Sequence, residues 1–328
     1  MTMTPVRRRG TALAAAILGA ALVFTGTVGG GAASAQTNGK TRTVEAENGT
    51  IKVPAKPKRV ATIGNTTVPF LDLGGKPVAV TEVADSDKEV LPKAQQKALK
   101  AAKVVGTDGG EVDVEKLASL KPDVILVQFS SSDWDKVGKE LETIAPTVFW
   151  GLDTEWKTFA GEIATVGNVK GALSEQETAF AAKVAKIQKD YGEIISSDSF
   201  VDLNRYSSSD PGTFVIADIG CSEIARDDIG LNLPEAPEGE DPLAYAALPF
   251  EQLSSLSKYD VITYPIDANG RPTENFEPVV ETNTWKALPA VKSSRALGLF
   301  CPNNNTYGPV LQYLDSLDAA LATLPNQG

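Results

Sequence analysis

The chain has 328 residues, with 42 acidic and 31 basic side chains, 42% hydrophobic residues, two cysteines and no histidine. That length allows one large or two medium domains with a full core, while the missing histidine removes the commonest general base and the commonest zinc or haem ligand. A net charge of −11 argues against nucleic acid and anionic membrane surfaces as partners.

In chain order, Arg7, Arg8 and Arg9 precede an apolar run over 12–24 and then Ala33-Ser34-Ala35. This is the pattern of an export signal over residues 1–35, cleaved before Gln36. Its removal takes away three arginines and no acid, which moves the net charge from −11 to −14. In an exported protein the lone pair Cys221 and Cys301 reads as a disulfide, two buried thiols being the alternative. In the chain-entropy model a bridge closing that loop contributes about 4–5 kcal/mol.

Residues 36–50 are polar and read as a flexible segment. Strands are predicted at 59–63, 78–83, 103–105, 124–129 and 147–150, with helices at 68–73, 88–102, 114–119 and 133–142 between them. This alternation predicts a parallel α/β sheet. The stretch 154–195 carries no strand pattern. Ser174 and Glu177 form a candidate capping box, and Phe180, Val184, Ile187, Tyr191 and Ile194 recur at helical spacing. A helix over 174–195 is roughly 33 Å long, enough to cross between domains. Strands then resume at 214–219, 260–264 and 295–300, with an acidic insert at 233–242 and helices at 250–256 and 310–324. The expected fold is α/β: two parallel-sheet lobes joined by one long helix. The divisions are a leader 1–35, a flexible segment 36–50, a first lobe 51–153, a helical segment 154–198 and a second lobe 199–328.

Five segments, in order, resemble the class III substrate-binding proteins of ABC importers, which capture ferric siderophores, haem or cobalamin. They are 49–60 (GTIKVPAKPKRV), 112–124 (VDVEKLASLKPDV), 144–147 (IAPT), 250–253 (FEQL) and 285–291 (WKALPAV). The resemblance implies a ligand cleft between two lobes bridged by one helix, no enzymatic activity and no cofactor. It implies a ferric siderophore as ligand, an ABC permease as partner and a monomer in an exported location. It also implies that Glu115 and Glu251, one on each lobe, dock onto permease arginines. The first turn of a helix independently favours a carboxylate at both positions. Lipid-anchored members carry a cysteine after the leader, where this chain has Gln36, so a secreted scavenger is a competing expectation.

Loops after the predicted strands supply the candidate ligand contacts: Asn65, Thr66, Thr107, Asp108, Trp134, Trp150, Arg205, Tyr206, Arg226, Tyr264, Arg271 and Tyr307. A siderophore brings all the iron ligands, so the chain needs only aromatic walls and hydrogen-bond donors. The strong negative charge favours a neutral or cationic hydroxamate over an anionic catecholate, unless Arg205, Arg226 and Arg271 converge. Haem held by tyrosine and cobalamin in an aromatic cleft are the alternatives. A glycosidase-like pair drawn from Asp108, Asp133, Glu155 and Glu223 is the enzymatic competitor. The glycine-rich 106–110 loop lacks nucleotide-binding spacing and is followed by acids, which excludes a phosphate cradle.

Overall fold

Short apolar runs buried on both faces build two five-stranded sheets, one per lobe. The computed structural model describes residues 40–107, 110–205, 211–234, 247–302 and 306–324. The predicted leader, the candidates Asp108 and Tyr206, and most of the acidic insert lie outside these residues.

The strands are β1 (Thr41–Ala46), β2 (Gly49–Pro54), β3 (Val60–Gly64), β4 (Ala79–Val80), β5 (Lys103–Val104), β6 (Val124–Gln128), β7 (Thr147–Trp150), β8 (Phe200–Asn204), β9 (Thr213–Ile216), β10 (Leu248–Pro249), β11 (Val261–Pro265) and β12 (Ala296–Leu299). The first sheet has the order β5-β4-β3-β6-β7 with every pair parallel. Both faces of β6 and β7 are buried, as helix-covered parallel strands require.

Two of the family-like segments meet at the N-terminal edge of this sheet. The Asp123 carboxylate accepts the amides of Lys58 (2.7 Å) and Arg59 (3.0 Å), and the Arg59 guanidinium donates to the carbonyls of Leu120 and Lys121. The most recognisable residues of the sequence are therefore scaffold at the edge opposite the strand ends that carry ligand loops.

Within the segment 36–50 read as flexible, residues 41–50 are ordered and join 51–54 in the antiparallel hairpin β1–β2. Val44, Ala46 and Ile51 pack on the first-lobe core. The hairpin turn covers the otherwise open edge of β7: Glu47 N–H donates to the Phe149 carbonyl, Asn48 bonds both Phe149 N–H and the Thr147 carbonyl, and the Glu47 carboxylate accepts Gly151 N–H at 2.6 Å. An unpaired strand edge is thereby closed. From β1, Arg42 reaches the last carbonyls of helix Trp156–Val166, those of Thr165 and Val166.

The second sheet has the order β10-β9-β8-β11-β12 and is mixed. Strands β8, β11 and β12 are parallel, but β9 runs antiparallel to β8, and β10 to β9. The link between β8 and β9 is too short for the crossover that a parallel pair needs. Its N-terminal edge is tied much like the first: Asp260 accepts Ser199 N–H at 2.8 Å, and Arg295 pairs with the buried Asp198 while donating to the Asp260 carbonyl.

The lobes are joined by helix Leu173–Asp190. Leu173 packs against the cores of both lobes, while Phe180 and Ile187 are buried in the second. The predicted capping box does not form: the helix starts before Ser174, whose carbonyl accepts the Thr178 hydroxyl. The predicted rod also breaks at Tyr191 (φ −124°, ψ 20°) before a separate helix Gly192–Ser197. The Tyr191 hydroxyl instead donates to Asp318 of the closing helix Tyr307–Leu321, which also pairs with Lys183 and Lys186. With these partners the Asp318 carboxyl, though partly desolvated, is held at about 2.

A second tie crosses directly between the lobes. Asp72, at the end of first-lobe helix Thr67–Asp72, accepts Gly308 N–H (2.8 Å) and the Thr306 hydroxyl (3.1 Å) of the second lobe. Thr306 is the N-cap of the closing helix yet makes no side-chain cap of its own. The first lobe thus supplies the cap for a helix of the second. The approach is close enough that a Cβ on residue 308 would lie 2.1 Å from the Asp72 carboxylate and would have to displace it. Replacing Asp72 by Ala leaves these donors bare and is expected to lower unfolding stability by about 1–2 kcal/mol, read from urea denaturation midpoints.

Candidate functional site

Open α/β sheets bind ligands where neighbouring strands connect in opposite directions, just beyond their carboxyl ends. In the first sheet that point lies between β3 and β6, and in the second between β8 and β11. Asn65 follows β3, Gln128 ends β6 and Asn204 ends β8, and all three line one cavity of about 290 Å³ between the lobes. The first lobe adds Pro69, Leu152 and Thr154, and the second adds Ile219, Gly220, Cys221, Cys301 and Pro302. Trp156 and Phe159, on the first turn of helix Trp156–Val166, complete the lining.

Three properties define this cleft. None of its thirteen lining residues is charged. Its hydrogen-bonding groups are amides and a hydroxyl, some already oriented: Gln128 donates to the Gly151 carbonyl (3.1 Å), and Thr154 donates to Gly151 and Glu47. Leu152 and Ile219, one from each lobe, are 41% and 47% exposed and offer the cavity apolar area that a ligand would cover. A second cavity of about 300 Å³, lined by Val80, Val83, Leu99, Lys100 and Val104 among others, lies wholly within the first lobe and touches no strand end at the lobe junction.

The predicted disulfide is present, Cys221 to Cys301 with Cα atoms 6.1 Å apart, and both half-cystines stand in the cleft wall. Gly220 takes φ +63° to turn the chain from Ile219 into Cys221, a conformation natural to glycine. Behind that turn Asp202 is half-buried, accepting the hydroxyls of Ser222 (2.5 Å) and Thr263 (2.6 Å). The Arg226 guanidinium donates to the Asp218 carbonyl and pairs with Asp227. Across the junction Lys157 pairs with Asp228 at 2.6 Å. Burial, aided by the neighbouring Asp227 charge, raises the Glu223 carboxyl above its ordinary value.

The predicted contacts are distributed unevenly around this cavity. Asn65 lines it. Thr66 is fully buried, its hydroxyl bonded to the carbonyls of Ile63 and Leu126. Trp150 is core, 2% exposed, with its indole N–H on Glu162. Trp134 stacks on Phe149 at 4.3 Å, and Tyr264 stacks on Phe276, each against its own lobe. Tyr307 is buried behind Trp156 (centroids 5.0 Å apart), where burial and nearby carboxylates push its hydroxyl up to about 12. Thr107 is half-buried, with its N–H on the Glu111 carbonyl, and stands outside the lining. The three arginines do not converge: Arg205 donates to the Thr213 and Asn275 carbonyls, Arg271 to Asp267, and Arg226 as above. Asp133 and Glu155 serve as helix-start groups, Asp133 bonded to Ser130 and Lys136, Glu155 to the amides of Lys157 and Thr158. Of the missed residues, Leu152 carried a signal as a lone apolar residue in a polar loop, whereas Ile219 reads as the end of the predicted strand 214–219, which stops at Ile216 in the structure.

The chain belongs to the periplasmic binding protein family, whose model matches residues 60–299. It is 27% identical over 303 residues to the iron(3+)-hydroxamate-binding protein FhuD of Bacillus subtilis, covering 88% of each chain. Over 127 residues it is 35% identical to the petrobactin-binding protein YclQ of the same organism, 38% of this chain and 37% of the other. Its fold matches that of the siderophore periplasmic binding protein from the fuscachelin gene cluster of Thermobifida fusca, with a TM-score of 0.70, 24% identity, and coverage of 83% of this chain and 99% of that one. This is a binding-protein family of exported location, and no helix among the described residues is long and apolar enough to cross a membrane.

Asp202 gives the site a pH signature. Burial raises its carboxyl, so the folded chain holds that proton to a higher pH than the unfolded chain. Its favourable contribution is complete below the ordinary carboxylate value of about 3.9 and is lost as pH rises through the raised one. Asp202→Asn, which keeps polar partners for Ser222 and Thr263, should abolish that decline. The difference in urea midpoint between variant and parent, followed from pH 4 upward, should shift steadily in the variant's favour.

Proposed function

We propose that the chain is an exported carrier that captures a ferric siderophore, of the hydroxamate class, in the interlobe cleft and delivers it to an ABC permease. The observation that carries this reading is the uncharged lining of a cleft on a strongly acidic protein. A tris-catecholate iron complex, with about three negative charges, needs cations to replace its water, whereas a neutral or cationic trihydroxamate complex needs amides and apolar walls. The nearby cations Lys157 and Arg226 are already paired with Asp228 and Asp227. The ligand of the FhuD relative, iron(3+)-hydroxamate, supports the same class. No tyrosine lines the cleft among the described residues, which favours a siderophore over tyrosine-held haem. The engagement of Asp133 and Glu155 in helix starts supports a carrier over a hydrolase. The metal travels as cargo in its chelator, and the chain contributes no cofactor.

Delivery rests on Glu115 and Glu251. Both are exposed, Glu115 in the first turn of helix Val114–Ser119 and Glu251 in that of the 3-10 helix Phe250–Lys258. Each presents a carboxylate suited to a bidentate arginine. Export follows from the leader 1–35.

Titration of tryptophan fluorescence with a ferric trihydroxamate, a ferric tris-catecholate, haemin and cobalamin tests the ligand class. The hydroxamate should bind at least about a hundredfold more tightly than the catecholate, and a folded protein that binds none of the four overturns the carrier. Leu152→Ser and Ile219→Ser should each weaken hydroxamate binding about fivefold at unchanged Tm, because the apolar area lost is covered only in the complex. Glu115→Arg combined with Glu251→Arg should abolish ligand-dependent uptake while leaving the Kd within about twofold; normal uptake by the double variant removes the docking role.

A further inference from the structure

The segments that follow β9 and β12 belong to strands separated in the sheet by β8 and β11. At ordinary strand spacing those two strands stand about 14 Å apart. Yet the half-cystines that follow them, Cys221 and Cys301, bring their Cα atoms to within 6.1 Å, in the same cavity wall as Asn204 at the end of β8. The bridge therefore spans the second-lobe wall of the cleft, and both of its residues line it.

The two sides of this bridge have different duties. On one side lies the Asp218–Ser222 turn, which presents the 47% exposed Ile219 to the cavity. That turn is also held by the Arg226 bond to the Asp218 carbonyl, the Ile224 N–H bond to the Gly220 carbonyl and the Ser222 bond to Asp202. On the other side, Pro302 lines the cavity, and four residues later Thr306 meets Asp72 of the first lobe. No hydrogen bond among the described residues joins Ile219 or Gly220 to Cys301 or Pro302, so the disulfide is the direct covalent tie between these two segments, beside the apolar packing of Cys221 with Leu299 and Tyr307.

We propose that Cys221–Cys301 is a positioning element of the ligand cleft: it fixes the Ile219 turn against the Cys301–Pro302 segment, so that full affinity belongs to the oxidised protein and the dithiol form is a low-affinity state. A preorganised wall avoids the ordering cost that a loose turn incurs on binding. Cys301 is exposed, so a small dithiol can reach the bond. In that reaction one dithiol transfers two electrons and two protons to the protein disulfide, becoming a cyclic disulfide and leaving two cysteine thiols on the chain. The inference rests on the carrier reading above and adds a structural requirement to it.

The test compares oxidised protein, protein reduced with dithiothreitol and blocked with iodoacetamide, protein reduced and then reoxidised, and the Cys221→Ser/Cys301→Ser variant. Each is titrated with ferric desferrioxamine B by fluorescence quenching, with far-ultraviolet circular dichroism and thermal melting in parallel. The expected result is at least about a tenfold rise in Kd for the reduced and doubly substituted forms, with circular dichroism unchanged at the assay temperature and affinity restored on reoxidation. An unchanged Kd in a folded, reduced protein overturns the proposal while leaving the carrier standing. Loss of folded signal on reduction also overturns it, since the bond would then serve stability alone. Failure of the oxidised protein to bind overturns both.

Discussion

One hydrogen-bonded carboxylate sets how the two lobes of this protein meet. Asp72 belongs to the first lobe, yet it accepts the donors that begin the last helix of the second. It is itself largely buried, and that burial raises its carboxyl above the ordinary value. A buried carboxylate without donors is costly, and a helix start without acceptors is costly as well. Each lobe therefore satisfies a group that the other leaves unsatisfied. Gln176 of the connecting helix adds a bond to the Asp72 carbonyl, so helix, first lobe and second lobe meet at one residue. The same helix, Thr67–Asp72, carries Pro69 into the cleft lining.

Around that junction the chain separates rigidity from recognition. The N-terminal edges of both sheets are closed by aspartate and arginine ties, Asp123 with Arg59 and Asp260 with Arg295. The opposite ends carry the amides Asn65, Gln128 and Asn204 and the exposed Leu152 and Ile219. Charge is used to build the frame and is kept from the cavity. On the carrier reading proposed above, that division lets an acidic protein hold an iron complex with neither histidine nor a cluster of arginines: the chelator holds the metal, and the protein has only to match the chelator's surface.

The sequence displayed its frame more openly than its site. Strand β7 and helix Val114–Ser119 follow their predicted limits because apolar runs and an aspartate N-cap mark them locally. Strand β8 was passed over because Asp202 and Asn204 interrupt its apolar pattern. Its aspartate finds its hydrogen-bond partners in Ser222 and Thr263, which are distant in sequence. The β1–β2 hairpin read as polar tail because its apolar face is thin and its value lies in covering β7. The same limit applied to the cleft. The loops that hold it could be named from their place after strands, but an aromatic residue does not reveal its direction: Trp150, Trp134 and Tyr264 pack inward, while Trp156, a few residues beyond, lines the cavity.

The Arg42 contact has a bearing on the order in which the molecule is made. Arg42 meets Thr165 and Val166, 123 and 124 residues further on, whereas Asp72 must wait 234 and 236 residues for Thr306 and Gly308. The hairpin, the first sheet and the helix that Arg42 terminates are thus all in hand once the chain has reached Val166. Contacts of larger sequence separation form later and more slowly. The first lobe can assemble as a unit with its Asp72 carboxylate still in water. Arrival of the closing helix then desolvates that group as the final event, so the ligand cleft comes into being only when the last stretch of chain has docked.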